Sequence, residues 1–362
     1  FSSDSIACAI WPNSKAPESG SFDHRVTVTI GTSSIPFGLT IGVAREENGH
    51  DLKVNGADIV VEDPDNLLDS GIEIAQQHPE LMTEVLHLKK TGNRIMEVIG
   101  GRPIHPVNVR LGGFYRSPTV AELTALLPDL DRAHAAAIAL LEWVAGFDFP
   151  DIPSDRRTPT EYVSLRHERE YPFNEGNIVS NKGIDIPVSQ FNDFFTEEHV
   201  ERSNALHSRV RGRGAYHVGP LARYAINFEK LTPLAQNAAL GAGLEPVCNN
   251  PFKSIVVRSV ETLYAIEEAL RIIDAYEEPA EPYVPCTPKE SIGHGATEAP
   301  RGMLYHQYRL HDDGRIADAQ ITPPTAQNQL TIESDLRFVL EQHLALPDPE
   351  LSWVLEQNVE GS

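Results

Sequence analysis

Two short stretches place chemically capable groups where loops could present them. Glu298-Ala299-Pro300-Arg301-Gly302 sets one guanidinium between a proline and a glycine, and Pro323-Pro324-Thr325-Ala326-Gln327-Asn328 follows after a strand pair. A guanidinium is planar and always charged, and its donors form a fixed fork, so it suits the holding of an anionic ligand in a way that lysine does not. The bland alternative is a structural loop arginine paired with Glu298. Pro323-Pro324-Thr325 also has a bland reading as the cap of the following helix, since Thr325 is a fair N-cap residue.

Other reactive types are given ordinary roles. His78, His87, His105, His207, His217, His294 and His306 show no His-x-x-x-His or His-Glu-x-x-His spacing, so they read as packing or solvent histidines and no residue is assigned as a metal ligand. Gly293-His294-Gly295 lacks the third glycine and the preceding strand of a dinucleotide fingerprint and reads as a flexible approach to the Arg301 loop. Arg209, Arg211 and Arg213 lie among glycines, which favours a turn that docks a partner or an acidic helix end over a phosphate cradle. Cys248 and Cys286 have no charged or Cys-x-x-Cys setting and read as unreactive thiols.

The 362 residues carry a formal charge of −22, which argues against nucleic acid as a partner. The longest apolar stretch, Ala133 to Phe147, is interrupted by His134 and Glu142 and falls short of the roughly 20 residues a membrane span needs, so no membrane span is expected. Three cysteines, Cys8, Cys248 and Cys286, are too few and too scattered for a disulfide framework, and a reducing cytoplasm is the simplest compartment. The chain begins with Phe1 and reads as a fragment or processed product.

The elements that must position Arg301 are mostly helical. Residues 1–61 differ from the rest, with a strand over Val26 to Ile30, a short apolar run over Ile41 to Ala44 and no assigned function. Leu81, Val85, Leu88, Ile95, Val98 and Ile99 predict a long amphipathic helix stopped by Gly100-Gly101. Pro118 is placed at the first position of a short helix, and Asp129 to Ala145 forms another with Leu130, Ala133, Ala137, Leu141 and Val144 on one face. Asp148 to Thr160 is a connector. Asn177 to Pro187 reads as strand-turn-strand, Ser254 to Tyr276 as a helix, and Leu304 to Leu310 with Arg315 to Thr322 as a hairpin bent at Gly314. Helices over Leu330 to Leu344 and from Asp348-Pro349 follow.

Taken in order, several motifs resemble one family. They are His105-Pro106, Gly112-Gly113-Phe114, Tyr171-Pro-Phe-Asn-Glu-Gly176, Ala205-Leu-His-Ser208, Gly212-Arg-Gly-Ala-Tyr216, Val218-Gly-Pro-Leu-Ala-Arg223, Glu298-Ala-Pro-Arg-Gly302 and Pro323-Pro-Thr-Ala-Gln-Asn328. The set resembles the nickel-iron hydrogenase large subunit from about residue 62 onward, in particular the cytoplasmic branch that couples hydrogen to NAD(P). The resemblance implies a mostly α (α+β) fold, a large helical domain with small β-hairpins over residues 62–362, and an unassigned segment over residues 1–61.

It also implies a chemistry. Arg301 would hang over a nickel-iron centre carrying CN and CO ligands and bond a cyanide. Pro324 and Thr325 would pack on the diatomic ligands with Pro300 beside them, Thr325 would donate to the second cyanide, and the carbonyl near Ile321 aligns with one that helps hold magnesium. Partners would be a small subunit with iron-sulfur clusters and NAD(P)-reducing, diaphorase-type subunits. The sequence departs from the family in two respects: residues 1–61 do not resemble the family's amino-terminal part, and it has neither of the two Cys-x-x-Cys pairs that hold the metals. The expectation is a partial catalytic subunit, inactive by itself; the alternative is a metal-free paralogue with a structural or assembly role.

Overall fold

The computed structural model describes residues 25–30, 39–44, 52–54, 57–59, 71–149, 160–201, 203–344 and 351. Near the amino terminus, β1 (Arg25–Ile30) pairs antiparallel with β2 (Leu39–Ala44), and β3 (Leu52–Val54) with β4 (Ala57–Ile59). The alternation over Val26 to Ile30 and the apolar run over Ile41 to Ala44 are thus both strands.

Helices α1 (Gly71–Gln77) and α2 (Pro79–Gly100) follow. Gly101 ends α2 in the left-handed region, φ 85°, donating its N–H to the Glu97 carbonyl at 3.0 Å, which is the stop expected from the glycine pair. Val85 and Leu88 on the apolar stripe are buried, and Leu81, Ile95, Val98 and Ile99 pack beside them. A small hairpin, β5 (Val109–Arg110) and β6 (Gly113–Phe114), leads to α3 (Val120–Thr124). Here the expectation for Pro118 fails by two positions. Thr119 is the N-cap, because its hydroxyl and the Glu122 carboxylate satisfy each other's backbone N–H in a capping box, a stronger signal than the proline. Helix α4 (Leu127–Ala145) buries Leu130, Ala133, Ala137, Leu141 and Val144, the face read from the sequence. Most of the predicted connector after Asp148 lies outside the described residues.

The second half is a set of small sheets wedged against helices. Strands β7 (Val163–Arg166), β8 (Asn177–Ser180) and β9 (Asp185–Ile186) form one sheet, with Gly183 at φ 90° in the expected bend. A short helix α5 (Phe191–Phe194) precedes the pair β10 (Phe195–Glu198) and β11 (His207–Val210). Then come α6 (Pro220–Asn227), α7 (Pro233–Gly241) and α8 (Ser254–Asp274), the last as expected. Strands β12 (Ser291–Ala299), β13 (Gly302–Leu310) and β14 (Ile316–Thr322) make a three-stranded antiparallel sheet, and α9 (Pro324–His343) follows directly.

Two expectations fall here. Gly293-His294-Gly295 is not a flexible approach but part of β12, tied down by the His294–Tyr305 ring-to-hydroxyl contact at 2.9 Å. Helix α9 starts six residues before Leu330, with Pro323 at the N-cap and Pro324 at the first helical position; Thr325 is inside the helix and not its cap. Of the helix expected from Asp348, only Leu351 is among the described residues.

Two apolar cores result. Helices α2, α4, α6 and α8 share one, with Leu141, Leu221, Tyr224, Val257 and Leu263 at its centre. The other lies between the sheets, where Phe191 stacks on Phe195 at 4.6 Å and on Tyr305 at 4.0 Å. The observed α+β architecture, mainly helical with small hairpins, matches the expected class. Among the described residues no helix is long and apolar enough to cross a membrane.

Candidate functional site

Pro300 and Arg301 are the two central residues of the turn joining β12 to β13, closed by the Ala299–Gly302 pair. Proline stiffens the turn, and Gly302 supplies φ 133°, a conformation L side chains rarely adopt. The turn seats against the residue before α6. A Cβ on Gly302 would collide with Val218 Cγ2, and one on Gly219 (φ 116°) would lie 2.8 Å from the Arg301 carbonyl oxygen. Two facing glycines therefore let the backbones of residues 218–219 and 301–302 touch.

One turn into α6, Arg223 reaches beneath the same hairpin. Its Nη1 donates to the Ala299 carbonyl at 2.7 Å and to Glu298 Oε2 at 3.1 Å. Its Nη2 donates to the Pro300 carbonyl at 3.1 Å and to Glu261 Oε2 at 2.9 Å, while Nε donates to Glu261 Oε1 at 2.8 Å. All the guanidinium's N–H directions are thus used. Glu261 also accepts from the Tyr171 hydroxyl at 2.6 Å, and Glu298 from the Leu165 N–H at 2.7 Å. The three charged side chains are nearly inaccessible, at 2, 2 and 4% exposure for Arg223, Glu261 and Glu298.

Such burial needs strong mutual support. Burial opposes the charged form of Arg223, but Glu261 and Glu298 outweigh it and hold its pKa above the ordinary arginine value. Burial pushes Glu298 up to about 7, against the pull of Arg223 and the Leu165 N–H. Burial and the nearby Glu261 charge raise Tyr171, which stays a phenol. For Glu298 the sign follows from linkage. The folded chain binds this proton more tightly than an unfolded one with a pKa near 4.5, so its contribution is fully present below about 4.5 and declines as pH rises to about 7. Relative to Glu298→Gln, the wild type is expected to lose up to about 1.4 kcal/mol per pH unit across that window. Urea unfolding of both proteins at several pH values checks this; parallel curves would contradict it.

The alternative reading of Arg301, a loop arginine paired with Glu298, is not met, because Glu298 is taken by Arg223. Arg301 is exposed, and among the described residues its side chain makes no hydrogen bond or ion pair. Pro300 is half-buried.

The second loop meets the first across Val218. Asn328 accepts the Val218 N–H at 2.8 Å and donates to the Val218 carbonyl at 3.0 Å. Gln327 donates to the carbonyls of Met303 and Thr322 and accepts from the Tyr216 hydroxyl at 3.2 Å. Gln327 and Asn328 are buried, as is Pro324, while Thr325 is exposed and its side chain makes no hydrogen bond to another described residue. Segments 216–223, 299–303 and 322–328 are therefore pinned to one another, with Arg301, Pro323 and Thr325 at the exposed positions. Sequence reasoning flagged Arg301 and Thr325; it missed Arg223, Glu261, Gln327 and Asn328.

The other groups resolve simply. Arg209 pairs with Glu198, Arg211 donates to the Asn192 carbonyl at 3.1 Å, and Arg213 reaches the Lys182 carbonyl at 3.0 Å and buried Glu161 at 3.1 Å. These arginines pin loops of their own chain. Cys248 is buried in the helical core and Cys286 is exposed beside the Gly112 hairpin. Among the described residues no group of three His, Cys, Asp or Glu is placed to hold a metal ion.

No protein-family model matches the chain. Curated relatives do. The alpha subunit of sulfhydrogenase 1 from Pyrococcus furiosus is 28% identical over 298 residues, covering 80% of this chain and 67% of that one. The beta subunit of the NAD-reducing hydrogenase HoxS from Cupriavidus necator is 23% identical over 300 residues, covering 75% and 61%. The chain is homologous to hydrogenase large subunits. The hydrogenase fold agrees: a crystal structure of an NAD+-reducing [NiFe]-hydrogenase in the H2-reduced state superimposes with a TM-score of 0.69 at 20% identity, over 80% of this chain and 68% of that one. Among the described residues of this hydrogenase homologue the thiols do not fit a nickel-iron group. Neither Cys248 nor Cys286 belongs to the three pinned segments, and the sequence has no Cys-x-x-Cys pair.

Proposed function

We propose that the chain is the catalytic large-subunit part of a nickel-iron hydrogenase, which cleaves or forms H2 heterolytically. One observation carries the reading: Arg301 stands exposed and unpaired among the described residues, on a two-residue turn whose flanking carbonyls and glycines are fixed from below. A preorganised cation of this kind stabilises negative charge without reorganising when it forms, and its pKa keeps it out of proton exchange. The chain would contribute Arg301, with Pro300, Pro324 and Thr325 beside it, as the protein face over the metal centre. It does not itself supply the thiolates of that centre, so no chemical step is assigned to the metals. Residues 62–362 are proposed as the hydrogenase domain, and residues 1–61 receive no role.

The partners proposed are a small iron-sulfur subunit that takes the electrons and NAD(P)-reducing, diaphorase-type subunits beyond it, in the cytoplasm; the likeness to the NAD+-reducing enzyme supports this choice. A direct test is elemental analysis. The 362-residue chain purified without partners is expected to hold no stoichiometric nickel, since nickel of this type needs a thiolate set. One nickel per chain would show that other residues bind it and would overturn this assignment of roles.

A further inference from the structure

We propose that Arg223 is a positioning residue for Arg301, acting through the backbone of the β12–β13 turn. The inference rests on the hydrogenase reading of Arg301 and adds to it the device that aims the guanidinium.

The geometry supports this more specifically than a buried ion pair would. Arg223 spends two of its N–H directions on main-chain oxygens, those of Ala299 and Pro300, the two residues immediately before Arg301. Its remaining donors go to Glu261 and Glu298, and these carboxylates lock the guanidinium plane. Glu261 comes from α8, one of the helices that build the apolar core, and is itself held by Tyr171. Glu298 belongs to β12, three residues before Arg301, and its own N–H donates to the Phe173 carbonyl at 2.6 Å. The turn is thereby connected to the helical core through a planar cation rather than through its own side chains. The facing glycines at 219 and 302 complete the seat, since the Arg301 carbonyl rests directly on Gly219. With both the backbone before Arg301 and its carbonyl fixed, little freedom remains at its Cα, and the exposed side chain starts from one defined direction. Lysine at 223 would keep a charge beside Glu261 but could not span two carbonyls and a bidentate carboxylate at once.

The test has two parts. In the full chain, hydrogen–deuterium exchange of the peptide covering residues 296–305 is compared between wild type and Arg223→Lys, with peptides from α4 and α8 as internal references. The expected result is exchange about tenfold faster or more in 296–305, with the reference peptides unchanged. Should Arg223→Lys fail to fold, Glu261→Gln loosens the same guanidinium with the arginine retained and is read the same way. Unchanged exchange at 296–305 in the folded variant overturns the proposal.

The second part uses a matured enzyme in which the chain is completed with the two Cys-x-x-Cys pairs its sequence lacks, and a double-mutant cycle in kcat for H2 oxidation. Arg223→Lys is expected to lower kcat about tenfold when Arg301 is present and to cause no further loss in an Arg301→Lys background, with KM for H2 little changed. Equal losses in both backgrounds would mean that Arg223 acts on the fold at large, and would overturn positioning. Full activity of Arg301→Lys alone would instead defeat the hydrogenase role of Arg301, while the exchange result would still decide whether Arg223 holds the turn.

Discussion

Replacing Arg223 with methionine is expected to destabilise the chain by about 3–5 kcal/mol, the usual consequence of removing one partner from a fully buried charge cluster. Two carboxylates, Glu261 and Glu298, would be left in a region from which solvent is excluded, and the carbonyls of Ala299 and Pro300 would lose their donors. Against a typical folding stability of about 5–15 kcal/mol this is a large fraction. The loss should shrink at acid pH, because Glu298, already raised by burial, then takes up a proton and removes one of the stranded charges. Converting Glu261 and Glu298 to apolar residues in the same protein should recover much of the stability, since such a cluster trades desolvation against attraction and is not a large net source of stability. Urea denaturation followed by circular dichroism measures all three. A loss below about 1 kcal/mol for Arg223→Met would mean that the cluster is solvated and not the buried clamp described.

The largest effect on turnover is expected at Arg301. In a matured protein completed with the two Cys-x-x-Cys pairs that this sequence lacks, Arg301→Lys should lower H2 oxidation by about two to three orders of magnitude, the range found when one preorganised electrostatic contact is lost from an active site. Nickel content should be nearly unchanged, because the side chain is exposed and supports no other described residue. Stability should also hold, for the same reason. Lysine keeps the charge but loses the planar fork, so this conservative change separates geometry from charge. Wild-type rates in Arg301→Lys would remove Arg301 from the chemistry, and loss of nickel in parallel with activity would make it a structural residue.

Much of the scaffold was legible in the sequence because its signals are local. The apolar faces of α2, α4 and α8 recur at helical spacing, Gly101 stops α2, and Gly314 at φ 83° makes the β13–β14 bend. Strand β12 was missed because Gly293 and Gly295 carry no side chain to show alternation, and glycine is depleted in strands. The start of α9 was missed because Pro323-Pro324 suggested a loop, although a proline is well tolerated at the first position of a helix.

The site divided along the same line. Arg301, Pro300, Pro324 and Thr325 could be singled out because they sit in short motifs, and the pinned loops bring those motifs together at Val218–Gly219. Arg223 could not be singled out, because its partners Glu261 and Glu298 lie 38 and 75 residues away and nothing periodic links them. The alternative pairing of Glu298, with Arg301 three residues on, does not form for the complementary reason: the hairpin points the carboxylate beneath the turn and leaves Arg301 at its tip.

The most direct measurement is deuterium exchange by a matured assembly in which this chain is completed with the two Cys-x-x-Cys pairs its sequence lacks, with D2 supplied in ordinary water and HD and H2 followed by mass spectrometry. Exchange reads heterolytic cleavage at the catalytic centre and needs no electron acceptor. A nickel-containing assembly that releases HD is the predicted result. An assembly that forms with its iron-sulfur partner yet holds no nickel and releases no HD would contradict the account and leave the chain a structural relative of the enzyme.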